Sequence, residues 1–321
     1  MNAPNITVDR EYPSIAAELA EQFAVEVNDG VTIAAYELVE AQSNTPVLLW
    51  GHANGFSAGS YLPLLRRLVN GGLRVFSYDV RGQGGSTTPP EPFAKTITFD
   101  RFARDLEQVT TAVLARAPGA PIYFAGHSFS AAAMYYLGGG LGFAPWRAVT
   151  TFDATLRPSD HQDIMTAYYA KRPSMSHGAL RRRRFFDSRD AYIEAMGRPH
   201  AYGSFARNML EAHCHATLRP RQDGTEGWEL SCPPEVEAAT YEAVGRTTAP
   251  YDSLPGFPAS AHMIGADPEA PGGTWIGELH PEFARRLPHG RYTKMIGHGH
   301  LMPFERPAEC AEIVLEMLHE D

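Results

Sequence analysis

The feature that most constrains the fold is a recurring pattern. Short, continuously apolar runs end in small or polar residues and alternate with segments of helical period. PVLLWGHANGF (46–56), RVFSYDVRGQGGS (74–86), PIYFAGHS (121–128) and RAVTTFD (147–153) are the runs. A strand that is apolar at successive positions has both faces covered, which is the condition of a buried parallel strand. Between the runs, YLPLLRRLVNGG (61–72) carries leucines at helical spacing and a glycine stop. TFDRFARDLEQVTTAVLARAPG (98–119) opens near Thr98 or Asp100 and keeps a 3.6 period as far as Pro118. A further helix is expected from about Ala131. Strand and helix in alternation predict an α/β protein with a mostly parallel, doubly wound sheet and helices on both faces. FAVEVNDGVTIAAYEL (23–38) adds a hairpin about an Asn-Asp-Gly turn.

The pattern stops near Ala154. Residues 154–254 are rich in Arg, His, Met and Tyr and show no clear buried strand, which predicts a mostly helical lid inserted into the core. Strand texture returns at PASAHMIGAD (258–267) and RYTKMIGHGH (291–300), with a helix at LHPEFARRL (279–287) and a last one at RPAECAEIVLEMLHE. The expected division is a core of 1–153 and 255–321 around a lid of 154–254. A chain of 321 residues accommodates one large α/β unit with such an insertion.

The net charge of −9 argues against nucleic acid or an anionic membrane as partner. Cys214, Cys232 and Cys310 are odd in number, far apart and without metal-ligand spacing, so a reducing compartment is expected. The N-terminus mixes acid and base and has no apolar signal region. The stretch 122–146 is uncharged apart from His127, but glycines interrupt it, so no membrane span is expected. These features predict a cytoplasmic protein.

YFAGHSFSAAAMYYL (123–137) places a hydroxyl between a buried strand and a buried helix. A serine oxygen is a poor nucleophile until a base takes its proton, so it must stand clear of the sheet and face a histidine. Small residues on both sides allow that turn, and the amides of the following helix start point toward a developing oxyanion. The run resembles the nucleophile elbow of the α/β-hydrolase superfamily, G-x-S-x-G, with Ser130 at the second glycine. GHANGF (51–56), DVRGQGGS (79–86) and GHGHLMPFERP (297–307) resemble three further superfamily segments, in the superfamily's order. The resemblance covers 23–153 and 255–321.

It implies an α/β-hydrolase fold with Ser128 as nucleophile and His300 as base, His298 being the alternative. The acid is expected at Asp267, which ends the next-to-last strand ahead of Pro268. Asp153, at the end of RAVTTFD, is the rival, and Glu269 is a third choice. The oxyanion would be held by the amides of Phe129 and Asn54. DVRGQGGS is expected to be structural, and His52 and His127 to anchor loops. No cofactor is expected: GQGG lacks the Lys-Ser/Thr of a P-loop, and nothing implies a metal, nucleotide or flavin.

The expected partner is a small acyl substrate, cleaved by a serine esterase through an acyl-enzyme. Hydrolysis of a lactone or a carbon–carbon bond, and acyl transfer, use the same machinery. A non-catalytic binding protein on this fold is the rival from another class. A serine in place of an aspartate nucleophile argues against haloalkane dehalogenation and epoxide hydrolysis. In the lid, Arg181 to Arg184 form either a solvated face or a grip on a substrate carboxylate. Met165, Tyr168, Tyr169 and Met209 either line a pocket or pack the lid.

Overall fold

The computed structural model describes residues 19–38, 45–161, 165–166, 174–198 and 202–319. Its centre is an eight-stranded sheet of β1 (Leu19–Glu26), β2 (Thr32–Leu38), β3 (Val47–Gly51), β4 (Arg74–Tyr78), β5 (Ile122–His127), β6 (Ala148–Phe152), β10 (Ser260–Ala266) and β11 (Gly290–Met295). The spatial order is β1-β2-β4-β3-β5-β6-β10-β11. β2 runs against both its neighbours, and every pairing from β4 to β11 is parallel. The hairpin forms where expected, with Asp29 and Gly30 both at φ 67° in its turn.

The apolar runs form this sheet because each feeds two cores at once. In β3, Val47 and Leu49 pack into one core while Leu48 and Trp50 pack into the other. In β5, Ile122 and Phe124 face the first core, Tyr123 and Ala125 the second. The first core is closed by the helices Phe99–Arg116 and Phe129–Tyr135, the second by Leu62–Asn70 and Pro307–Leu315. Each large side chain withdrawn this way contributes about 1.5–3 kcal/mol. The long helix starts where its cap dictates: the Thr98 hydroxyl accepts the Arg101 amide at 3.2 Å.

Between β6 and β10 lie the helices Met175–Leu180, Arg189–Met196, Arg207–Ala216 and Pro234–Arg246. The same segment also carries an antiparallel sheet of β7 (Phe185–Phe186), β8 (Leu218–Pro220) and β9 (Trp228–Leu230), in the order β7-β9-β8. Strands of two or three residues are too short to leave a periodic trace, so a mostly helical reading missed them. No helix among the described residues is long and apolar enough to cross a membrane.

Candidate active site

Parallel strands bring their carboxyl ends to one edge, and ligands of open α/β sheets bind there. Ser128 follows β5, Asp153 follows β6, and His300 lies in the loop after β11. Ser128 has φ 62° and ψ −126°, a conformation that lifts its side chain out of strand register. The turn works only with small neighbours. A Cβ on Gly51 would come within 2.8 Å of the Ser130 Cβ, so β3 and the elbow are in direct contact. The Ser130 hydroxyl donates to the His52 carbonyl at 2.5 Å, a role the usual glycine could not fill.

Ser128 Oγ lies 3.1 Å from His300 Nε2, and His300 Nδ1 lies 2.5 Å from Asp153 Oδ2. Ser128 is 7% exposed and Asp153 fully buried. Burial alone would raise the Asp153 pKa. The neighbouring His280, the His300 hydrogen bond and the Ala266 amide outweigh it and hold the carboxyl well below the usual range. The group is therefore an anion that can only accept. His300 must then carry its proton on Nδ1, which leaves the Nε2 lone pair facing the serine.

The path of its loop keeps Asp267, expected as the acid, away from the imidazole, and Asp153, the rival, stands there instead. Asp267 Oδ2 accepts the Gly297 amide at 2.9 Å and its Oδ1 the Glu269 amide at 3.2 Å, while its own amide donates to the His298 carbonyl. Asp267 thus braces the turn that carries His300 rather than touching the imidazole. Among the described residues Glu269 meets this loop through that amide, and His298 Nδ1 pairs with Glu305 at 2.9 Å.

Phe129 is the first residue of its helix, so its amide has no intrahelical acceptor. In the facing loop, the Ala53 amide donates to the Tyr61 hydroxyl and the Gly55 amide to Gln83 Oε1. Among the described residues the Asn54 amide between them has no partner. The Asn54 side chain is fixed instead, accepting from Gln83 Nε2 at 3.1 Å and donating to the Glu237 carbonyl at 3.0 Å. DVRGQGGS is thus the brace of this loop: Asp79 Oδ1 accepts the Ala58 amide, and Arg81 is buried in a two-pronged pair with Asp105.

His52 and His127 anchor loops. His52 donates from Nδ1 to the Ala53 carbonyl and accepts the Val80 amide on Nε2, so it is neutral. His127 Nε2 faces the His300 carbonyl at 2.8 Å and must donate to it; Nδ1 then accepts from Tyr61. A buried chain therefore runs from the Ala53 amide through Tyr61 and His127 to the backbone of His300.

Three groups escaped the sequence reading. His280, fully buried, donates from Nε2 to the Ala154 carbonyl and turns Nδ1 toward Asp153 Oδ1 at 3.4 Å. Thr155 places its hydroxyl 3.0 Å from Ser128 Oγ. Gln83 holds both Asn54 and Gly55. No local pattern marks any of them, because each meets its partner only after distant loops converge.

Three of the four arginines at 181–184 have partners, and the Arg182–Glu237 pair lies against Gly55 of the loop that carries Asn54. Arg182 pairs with Glu237 at 2.5 Å and Arg184 with Glu229 at 3.3 Å, while Arg183 donates to the Phe185 carbonyl. Met165 and Met209 are buried. Tyr168 and Tyr169 lie outside the described residues. One group of three metal-type donors occurs among the described residues, Asp160, His161 and Glu282. His161 bonds to Glu282, while Asp160 accepts from the Tyr251 hydroxyl and the Arg286 guanidinium, which ties the loop after β6 to the helix His280–Arg286.

The profile of the alpha/beta hydrolase family matches residues 47–313. The chain belongs to the alpha/beta hydrolase family. No curated protein matches it. Among solved structures, this family member is similar to E-2-(acetamidomethylene)succinate hydrolase at 14% identity, with a TM-score of 0.71 over 94% of this chain and 99% of that one. A thermophilic esterase from Thermogutta terrifontis matches at 18% identity and TM-score 0.64, over 94% and 98% of the two chains. The enol-lactonase from Burkholderia xenovorans LB400 matches at 17% and 0.63, over 93% and 100%. At these identities the likeness is one of fold. The alpha/beta hydrolase fold accounts for the sheet order and for the meeting of three loops at its carboxyl edge.

The buried imidazoles of this hydrolase-family chain set its acid stability. Burial, reinforced by His300 and Arg182 respectively, pushes His127 and His213 down to about 3. Burial also lowers His52 and His280. Below the ordinary value of 6.5, the unfolded chain takes up protons that the folded chain refuses, so stability falls with pH. His127 and His213 each cost about 1.4 kcal/mol per pH unit across that window, and His52 and His280 act in the same direction. Asp153, with its depressed pKa, adds a further loss only at more acidic pH. The melting temperature is expected to be level above about pH 7 and to drop steeply between about pH 6.5 and 4. A thermal melt unchanged from about pH 7 to 5 would contradict this.

Proposed function

We propose that the protein is a serine hydrolase that cleaves carboxylic esters and related acyl bonds through an acyl-enzyme. Ser128 Oγ attacks the acyl carbon while His300 Nε2 takes its proton. The Asp153 carboxylate keeps the imidazole in the required tautomer and stabilises its cation. The amides of Phe129 and Asn54 receive the oxyanion, each such donor being worth about 10²–10³ in rate. His300 then protonates the departing alcohol, and water, activated by the same imidazole, releases the acid and restores the serine.

The observation that carries this reading is the unbroken hydrogen-bond chain from Ser128 Oγ through His300 to the buried Asp153 anion, at 3.1 and 2.5 Å. The likeness to an esterase and an enol-lactonase supports including both bond types, since open-chain and cyclic esters form the same acyl intermediate. The test is a panel of p-nitrophenyl esters of increasing chain length, thioesters and lactones. Saturable turnover with release of the free acid is expected for short or medium acyl groups. A folded protein that turned over none of them, yet bound acyl ligands, would support the non-catalytic alternative.

A further inference from the structure

Thr155 begins the segment that leaves β6, two residues after Asp153. Its half-buried side chain places Oγ1 3.0 Å from Ser128 Oγ, and its amide donates to the Ser128 carbonyl at 3.3 Å. Either hydroxyl could be the donor on distance alone, but the proton inventory decides. Asp153 accepts only, so the His300 proton is on Nδ1. Nε2 is a lone pair, and the single Ser128 proton points to it. The Thr155 hydroxyl must therefore donate to Ser128 Oγ.

We propose that Thr155 is a catalytic residue whose hydroxyl selectively speeds release of the acyl group from Ser128. The inference rests on the acyl-enzyme reading above and concerns its second half. Only an interaction stronger in the transition state than in the ground state before it raises a rate. Before acylation, Oγ is a hydroxyl oxygen that accepts from Thr155 well, so the bond already stabilises the ground state and adds little to the attack. After acylation, Oγ is an ester oxygen, a weak acceptor. Water then adds to the acyl carbon and gives a proton to His300 Nε2. As the tetrahedral intermediate breaks, the C–Oγ electron pair returns to Oγ, which takes that proton back. Charge grows on Oγ during this step, directly in line with the Thr155 donor, and the carboxylic acid departs with the serine restored.

The test is to isolate the acyl-enzyme formed from p-nitrophenyl acetate and follow its decay by intact mass, with acylation measured separately by nitrophenolate release. Thr155→Val and Thr155→Ala, which both remove the donor, should slow decay about 10- to 100-fold, the effect of one hydrogen bond to a developing charge. Acylation should stay within about threefold, so that kcat and KM fall together while kcat/KM is preserved. Thr155→Ser should restore the decay rate. Wild-type decay in both the Val and Ala variants, or equal slowing of acylation and decay, would overturn the proposal alone. A wild-type enzyme that turns over esters with no acyl group on Ser128 would overturn it together with the acyl-enzyme reading.

Discussion

Ser128→Ala should lose at least about 10⁴-fold of the ester turnover, as read by kcat/KM, because among the described residues Ser128 Oγ is the hydroxyl that meets His300 Nε2. What remains would come from the amides of Phe129 and Asn54 acting on attack by water. The elbow also supplies a control for folding. Ser128 sits at φ 62° and ψ −126°, which a residue with a Cβ adopts only under strain. Ser128→Gly removes that strain and should melt at or above the wild-type temperature while being as inactive as the alanine variant. An inactive but more stable glycine variant separates loss of chemistry from loss of fold. Retained turnover in either variant would refute the nucleophile.

The second large effect separates the two aspartates. Asp153→Asn replaces an acceptor with an amide that can present N–H to His300 Nδ1. The imidazole would then favour the tautomer with its proton on Nε2, facing the serine. A loss of about 10³- to 10⁴-fold in kcat is expected, with a lower melting temperature at neutral pH because the folded state gains from the buried carboxylate's charge. Asp267→Asn leaves the imidazole untouched and weakens only the turn held through Gly297 and Glu269. Its kcat should fall by less than about tenfold. A greater loss in the Asp267 variant than in the Asp153 variant would invert the assignment.

Why the two aspartates were hard to rank is clear from the sheet. β6 and β10 are adjacent parallel strands, so Asp153 and Asp267 leave the same edge one strand apart. The resemblance, with Pro268 following the strand end, favoured Asp267. The choice is made by backbone paths that leave no pattern in sequence: Asp153 takes φ 44°, and the turn at 297–298 folds back onto the Asp267 carboxylate. The parallel sheet, by contrast, was legible because strands buried on both faces must be apolar at successive positions. The elbow was legible because close approach of Gly51 to Ser130 demands small side chains.

Polar partners between distant loops are the opposite case. Thr155, His280 and Gln83 carry no periodicity and no special spacing, and each acquires its role only when the fold brings its partner within hydrogen-bond reach. The lid arginines show the same limit in reverse. Their clustering suggested a grip on a ligand, but Glu237 and Glu229, far along the chain, already satisfy two of them.

The most direct measurement is the intact mass of the protein after fluorophosphonate treatment, followed by peptide mapping of the adduct. A single covalent adduct on Ser128, formed markedly more slowly in Asp153→Asn and at nearly the wild-type rate in Asp267→Asn, is the predicted result. A folded protein that takes up no label, or takes it up on another residue, would contradict the account.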